Sequence, residues 1–306
     1  MDISFSTFLL LALLPLVAVV ATLVGASRRS RRLAFDEAAY PGLAHLHNAT
    51  LSARRIGLLL GVAAFLVVLQ LPGWLPALAP VTAGVILVAA IMTGQWLAYR
   101  SAQAVGVAAV ERRTLGDYLP RREVLVGTLV AALLALGSAV ATLTASADDS
   151  GERRFFNFQC VETWYDQGTL VPRVTTGWTD QFPGDYYQVP LWIGLLVLVA
   201  LGAVALDMIV RRPRNGSDPE LVRVDDALRR QSAEGVVGAV GLVFAASLVG
   251  LLYRAGVAVG AGDCDPVLGA TSFALGVASL LALLPACWFA IRVLVPGDGS
   301  PAKALR

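Results

Sequence analysis

Lysine, histidine and cysteine are scarce in this chain, and each scarcity closes off a chemistry. Lys303 is the only lysine, and it lies outside every apolar run. A retinal Schiff base in a last helix is therefore excluded, although the number of apolar runs invites that comparison. The two histidines, His45 and His47, share one polar connection, and no apolar run contains a histidine. A haem held between membrane helices by histidines is excluded with them. His-x-His with no cysteine and few carboxylates nearby does not read as a metal site, so neither metal nor cofactor is expected. Neither a Gly-x-Ser-x-Gly turn nor a His-Glu-x-x-His helix is present, and no carboxylates pair into an acid–base dyad. The chain is expected not to be an enzyme. The net charge of +2 gives no electrostatic footprint for nucleic acid.

Apolar residues are what the chain has in abundance. They make up 57% of it, charged residues only 15%, and the mean hydropathy is +0.68. Soluble domains carry about 45–50% apolar and about 25% charged residues. Seven runs are long and apolar enough to cross a bilayer as helices: residues 5–24, 56–71, 80–98, 124–145, 190–210, 235–253 and 267–295. The runs are continuous rather than alternating, so no sheet is expected in them. The predicted fold class is an all-α polytopic membrane bundle of seven transmembrane helices, forming one domain over residues 1–306. The first run has positive charge after it, at Arg28, Arg29, Arg31 and Arg32, and only Asp2 before it. It therefore reads as a retained helix rather than a secretory signal.

Arginine orients the bundle, because cytoplasmic connections collect positive charge. With seven spans, 20 of the 24 basic residues fall on one side, and only Arg153, Arg154, Arg173 and Arg254 fall on the other. This predicts the N-terminus outside, the C-terminus inside, and residence in the plasma (inner) membrane. Each of the three long inner connections ends in an arginine pair before the next span: Arg54-Arg55, Arg121-Arg122 and Arg229-Arg230. Two readings stay open, independent interfacial anchors or three helix hairpins followed by a seventh helix.

The interval 148–189, between the fourth and fifth spans, is the longest polar stretch on the arginine-poor side. Its aromatic load includes Phe155, Phe156, Trp164, Tyr165, Trp178, Tyr186 and Tyr187, which are the candidate ligand- or partner-binding residues. Interfacial anchoring accounts for several of them without any ligand. Cys160 lies in this interval and Cys264 in the short connection between the last two spans, on the same side. Thiols facing an oxidising compartment form lasting disulfides, so a Cys160–Cys264 bridge is expected. Cys287 falls inside the last run and reads as a small buried hydrophobe.

Polar groups within the runs are functional candidates by default. Asp207 is the one carboxylate, with Arg211 at i+4 and Arg292 as a second potential partner, and Gln70 and Gln95 lie near opposite faces. The structural alternative for Asp207 is a salt-bridged pair at a helix end. Gly235, Gly238 and Gly241, with Gly127 and Gly137, permit close helix approach. The connection 211–234 contains Asp218-Pro-Glu-Leu-Val-Arg-Val-Asp-Asp-Ala-Leu-Arg-Arg. It has an N-cap candidate, proline at the first helical position, and opposite charges at Asp225/Arg229 and Asp226/Arg230. It reads as an amphipathic cytoplasmic helix on the membrane surface that continues into the sixth span.

Taken whole, the alanine–valine–leucine spans and that inner segment resemble multi-pass integral membrane proteins of actinobacteria. The resemblance implies a bilayer bundle and brings no activity or site residues. The expected function is non-enzymatic: binding, sensing or partner docking through the outer cap, with the lipid bilayer and a membrane partner subunit or second copy as partners. The alternative is a small-solute transporter or permease-like subunit, with Asp207, Gln70 and Gln95 around its path.

Overall fold

The computed structural model describes residues 41–101, 114–166, 169–212, 219–262 and 265–294. The expected first span, 5–24, lies outside the described residues. Six helices follow it: α1 (Pro41–Val68), α2 (Ala79–Ser101), α3 (Arg121–Thr144), α4 (Asp185–Arg211), α5 (Pro219–Gly260) and α6 (Pro266–Leu294). All six are long and apolar enough to cross a membrane. Large apolar side chains such as Leu59, Leu133, Leu143 and Leu196 are exposed along them, as a lipid-facing surface requires.

The α1–α2 hairpin is closed by small residues. A Cβ on Gly57 would stand 2.5 Å from the Ala90 Cβ, and one on Gly94 would stand 2.3 Å from the Ala53 Cβ. A Cβ on Gly61 would stand 2.9 Å from the Ala83 carbonyl oxygen. Ala53, Gly57 and Gly61 recur every fourth residue, a stripe that lets two backbones approach closely. The hairpin turns at Gly73, whose φ of 71° is costly for any residue with a Cβ.

α5 is the central helix and packs against α2, α3, α4 and α6. Its 42 residues extend about 63 Å at about 1.5 Å per residue, twice the hydrocarbon thickness. The segment expected on the membrane surface is therefore the first part of α5, and it turns Asp225 and Arg229 into the protein while Arg223 and Arg230 are exposed. Asp225 and Arg229 are buried, and Asp226 accepts a hydrogen bond from Tyr118 Oη at 2.9 Å. Farther along α5, Gly241 receives the ring of Phe289 from α6, and Gly238 lies against Val293. The glycine spacing thus serves contacts within the bundle.

Between α3 and α4 the chain forms a three-stranded antiparallel sheet, absent from the expectation of an all-α chain. Its strands are β1 (Ser146–Ala147), β2 (Arg153–Asp166) and β3 (Thr169–Thr179), in the order β1-β2-β3. The β2–β3 register runs unbroken from Phe156↔Thr179 to Asp166↔Thr169. The aromatic and β-branched residues there fit a pleated surface better than a helix. The hairpin is anchored at its root. Phe156 stacks on Phe182 at 5.2 Å, Thr179 Oγ1 donates to the Ala258 carbonyl at 3.2 Å, and Phe158 lies over Gly177 and Gly262.

Candidate functional site

A cavity of about 520 Å³ opens on the hairpin side of the bundle. Its walls come from the end of α1 (Phe65), the turn into α2 (Leu69, Pro72, Gly73), and the middle of α5 (Ala246, Gly250). The start of β2 and the segment between β3 and α4 contribute Arg154, Asp180 and Gln181 at its polar end, and α5 contributes Arg254. The volume falls within the about 300–1,000 Å³ of small-molecule sites, and the wall is almost as polar as it is apolar.

Local chemistry builds the polar end. Asp148 Oδ1 accepts the N–H groups of Ser150 at 2.8 Å and Glu152 at 2.9 Å, an Asx-type turn. Its Oδ2 receives Arg154 Nε at 2.6 Å. Partial burial works to raise the Asp148 pKa, but the Glu152 N–H, the Arg154 guanidinium and the Ser150 N–H outweigh it and hold the carboxyl below the usual range. Arg154, so fixed, lies over the ring of Tyr186 at 5.4 Å and that of Phe155 at 5.7 Å. Arg254 differs: its Nη1 donates to Gln181 Oε1 at 2.7 Å, and the residue is exposed. Gln181 has a φ of 64°, uncommon outside glycine and the kind of strain that gathers at binding sites. Below it, Gln188 accepts from Ser138 Oγ at 2.8 Å and donates to the Pro183 carbonyl at 3.3 Å. The hydroxyl of Ser247, in the cavity wall, has no hydrogen-bond partner. A Cβ on Gly250 would meet nothing within 4 Å.

The aromatic candidates divide. Tyr187 lines the cavity. Tyr186 lies under Arg154 and packs edge-on against Tyr187 at 4.9 Å. Phe156 is part of the hairpin's root, whereas Phe155 stacks on the exposed Trp178 at 4.9 Å. Trp164 and Tyr165 lie at the far end of β2, in register with Val171 and Leu170; their side chains fall outside the described set. Cys287 is the free cysteine among the described residues, and Cys264 lies outside them. Arg154, Asp180, Gln181 and Arg254 were not candidates from the sequence; the strand pairing and helix packing bring them together.

The intramembrane candidates also divide. Asp207 pairs with Arg211 at 2.8 Å, and both are exposed. Arg292 does not pair with Asp207; it reaches the buried Glu123 of α3 at 3.2 Å and lies over Trp288. Gln70 is exposed in the turn after α1. Gln95 is buried at the other end of the bundle, within a polar cluster that no local pattern announced. Its Nε2 donates to Ser232 Oγ at 2.6 Å and to Thr50 Oγ1 at 3.3 Å, and its Oε1 receives Arg212 Nη1 at 3.1 Å. Asp225 is held between Arg212 at 2.5 Å and Arg229 at 2.8 Å. Arg229 Nη1 also donates to the carbonyls of Ile209 and Val210, satisfying the end of α4. Among the described residues, no group of three or more histidine, cysteine or acidic side chains is placed to hold a metal ion.

No protein-family model, curated protein or solved structure matches this chain.

Proposed function

We propose that the protein is a non-enzymatic binding protein of the plasma membrane that holds an amphiphile, with an apolar body and an anionic head, beneath its outer cap. The observation that carries this reading is the cavity itself: about 520 Å³, apolar along α1, α2 and α5, with Arg254 at its polar end bonded to Gln181 rather than to a carboxylate. A guanidinium in that setting suits a carboxylate or phosphate head. Seven spans, with 5–24 as the first and the N-terminus outside, are part of the proposal. The distribution of basic residues, 20 against 4, supports it and on this reading the cavity faces the outer side.

A Cys160–Cys264 bridge belongs to the same reading. Phe158 and Cys160 share one face of β2, and Phe158 lies against Gly262, two residues before Cys264. The bridge would hold the hairpin over the ends of α5 and α6. The transport reading has less support. Asp207 is spent on an exposed pair with Arg211, and Gln95 is committed to a packed cluster.

The test is mass spectrometry of small molecules co-purifying with the protein from its native membrane, for the wild type and Gly250→Leu. An amphiphile present at stoichiometric level and lost from the folded variant is expected. Its absence from the wild type, or its full retention by Gly250→Leu, would reject the proposal.

A further inference from the structure

The polar end of the cavity holds groups of opposite charge that do not pair with each other. Arg254 and Asp180 both line it, and both are exposed. Arg254 Nη1 donates to the neutral Gln181 Oε1 at 2.7 Å, and its guanidinium makes no ion pair among the described residues. The Asp180 carboxylate makes neither a hydrogen bond nor an ion pair among them. Arg154, which also lines this end, is already paired, with its Nε 2.6 Å from Asp148 Oδ2.

Chain geometry puts the Arg254 and Asp180 charges side by side. Asp180 and Gln181 are consecutive, with Cα atoms about 3.8 Å apart, and the backbone turns at Gln181 with a φ of 64°. The side chain of Gln181, not that of Asp180, takes the guanidinium. Tyr187 lies among these groups: Arg254, Arg154 and Asp180 all act on it through space. A missing ion pair between exposed side chains means little by itself. Here it leaves a cation and an anion lining one end of a cavity of about 520 Å³.

We propose that the amphiphile held in the cavity has a zwitterionic head, with a phosphate or carboxylate on Arg254 and a primary ammonium on Asp180. The inference rests on the amphiphile reading above and narrows its ligand class. A head that is only anionic would suit Arg254 but bring like charge up to Asp180. A neutral head would leave both charges without a counterpart. A quaternary ammonium has no N–H for a carboxylate and is held on aromatic faces instead. Tyr187 is the aromatic residue among the described lining of this end, and one ring is not a cage. A primary ammonium donates to the carboxylate directly, and such charge-assisted bonds are about twice as strong as neutral ones.

The experiment titrates dodecanoyl amphiphiles into the purified full chain in a sugar-headed detergent and reads the saturable rise in thermal midpoint. Lysophosphatidylethanolamine offers phosphate and ammonium. Nε-dodecanoyl-lysine offers carboxylate and ammonium, which separates the two sources of the anionic group. Lysophosphatidylcholine, lysophosphatidylglycerol and dodecanoate are the controls. At least one ammonium-bearing head is expected to half-saturate at about tenfold lower concentration than every control, the size of one hydrogen bond to a charged group. Asp180→Asn should erase that preference and leave lysophosphatidylglycerol binding intact, whereas Arg254→Gln should weaken every head that carries an anionic group. Any control binding as tightly as both ammonium-bearing heads, or a preference undiminished in Asp180→Asn, would overturn the zwitterion and leave the amphiphile reading standing. No saturable shift with any of the five would overturn both.

Discussion

The guanidinium of Arg54 occupies the space that a side chain at Gly235 would need. The two residues meet where α1 crosses α5, and a Cβ on Gly235 would stand 2.8 Å from Arg54 Cζ and 2.9 Å from Nη2. A glycine thus decides whether an arginine is buried. Gly235→Val should push Arg54 out of its seat, at a cost of about 1–3 kcal/mol, the usual range for overpacking a filled site. A lowered denaturation midpoint in detergent is the expected reading, whereas Val at Gly269, where a Cβ would meet nothing within 4 Å, should lower it much less.

Asp225 and Asp207 are both carboxylates with an arginine four residues on, and their surroundings separate them. Asp225 is 1% exposed and bonded to two arginines; the side chain of Asp207 is 50% exposed and pairs with one. Asp225→Asn removes the counter-charge from buried guanidinium groups and should cost about 3–5 kcal/mol. Asp207→Asn should cost less than about 1 kcal/mol, as exposed pairs do. Chemical denaturation of the two variants side by side checks this, and equal effects would contradict the assignment of Asp225 as the clamp between α4 and α5.

The turn between β1 and β2 should resist mild acid. Asp148 has its pKa lowered by the bonds it accepts, so its contribution is present above the ordinary carboxylate range near about 3.9 and is lost only as pH falls through the lower folded value. Amide exchange at Ser150 and Glu152, whose N–H groups Asp148 accepts, should stay slow at mildly acidic pH and quicken below that range. Asp148→Ala, which removes the acceptor, should lose that protection at every pH. Protection at those amides that persists unchanged in Asp148→Ala would show that the side chain is not what holds the turn.

Alkylation without reductant should leave Cys160 and Cys264 unmodified in native membranes and label both after reduction. Modification of both before reduction would falsify the bridge. If the bridge forms, reduction should loosen the hairpin without detaching it, because Phe158 of β2 lies against Gly262 and Thr179 of β3 bonds the Ala258 carbonyl of α5 as well.

Close packing between α1 and α2 should be similarly sensitive. Gly57→Leu introduces a side chain whose first atom would stand 2.5 Å from the Ala90 Cβ, and it should separate the hairpin. The expected result is a protein that fails to elute at the position of the folded wild type on size exclusion, while Leu at Gly276, where a Cβ meets nothing within 4 Å, elutes normally.

Little of the cavity site was legible beforehand, for a reason visible at Arg254 and Gln181. Their contact joins residues 73 positions apart, and neither stands in a local pattern. The strand signal was readable in part. Phe155 to Thr163 and Val171 to Thr179 are rich in aromatic and β-branched residues, but aromatics suit interfacial anchoring as well as a pleated strand. The arginine pairs show a different limit. Arg54 is buried and Arg55 exposed, and Arg229 is buried and Arg230 exposed. Helical periodicity ensures that neighbours point apart, yet which of the two points inward depends on the helix packed alongside.

What the sequence alone determined is the membrane character and the helix positions. Spanning a bilayer needs length and continuous apolarity, both properties of one segment at a time, and the runs at 56–71, 80–98, 124–145, 190–210, 235–253 and 267–295 each fall on a helix long and apolar enough to span. Only the tertiary structure decided the rest. It turned the charged start of α5 inward, paired Arg292 with Glu123, and seated Arg54 against a glycine 181 positions away. Those outcomes depend on which helices are neighbours, and neighbourhood is set by side-chain volumes meeting across the bundle, which no single segment contains.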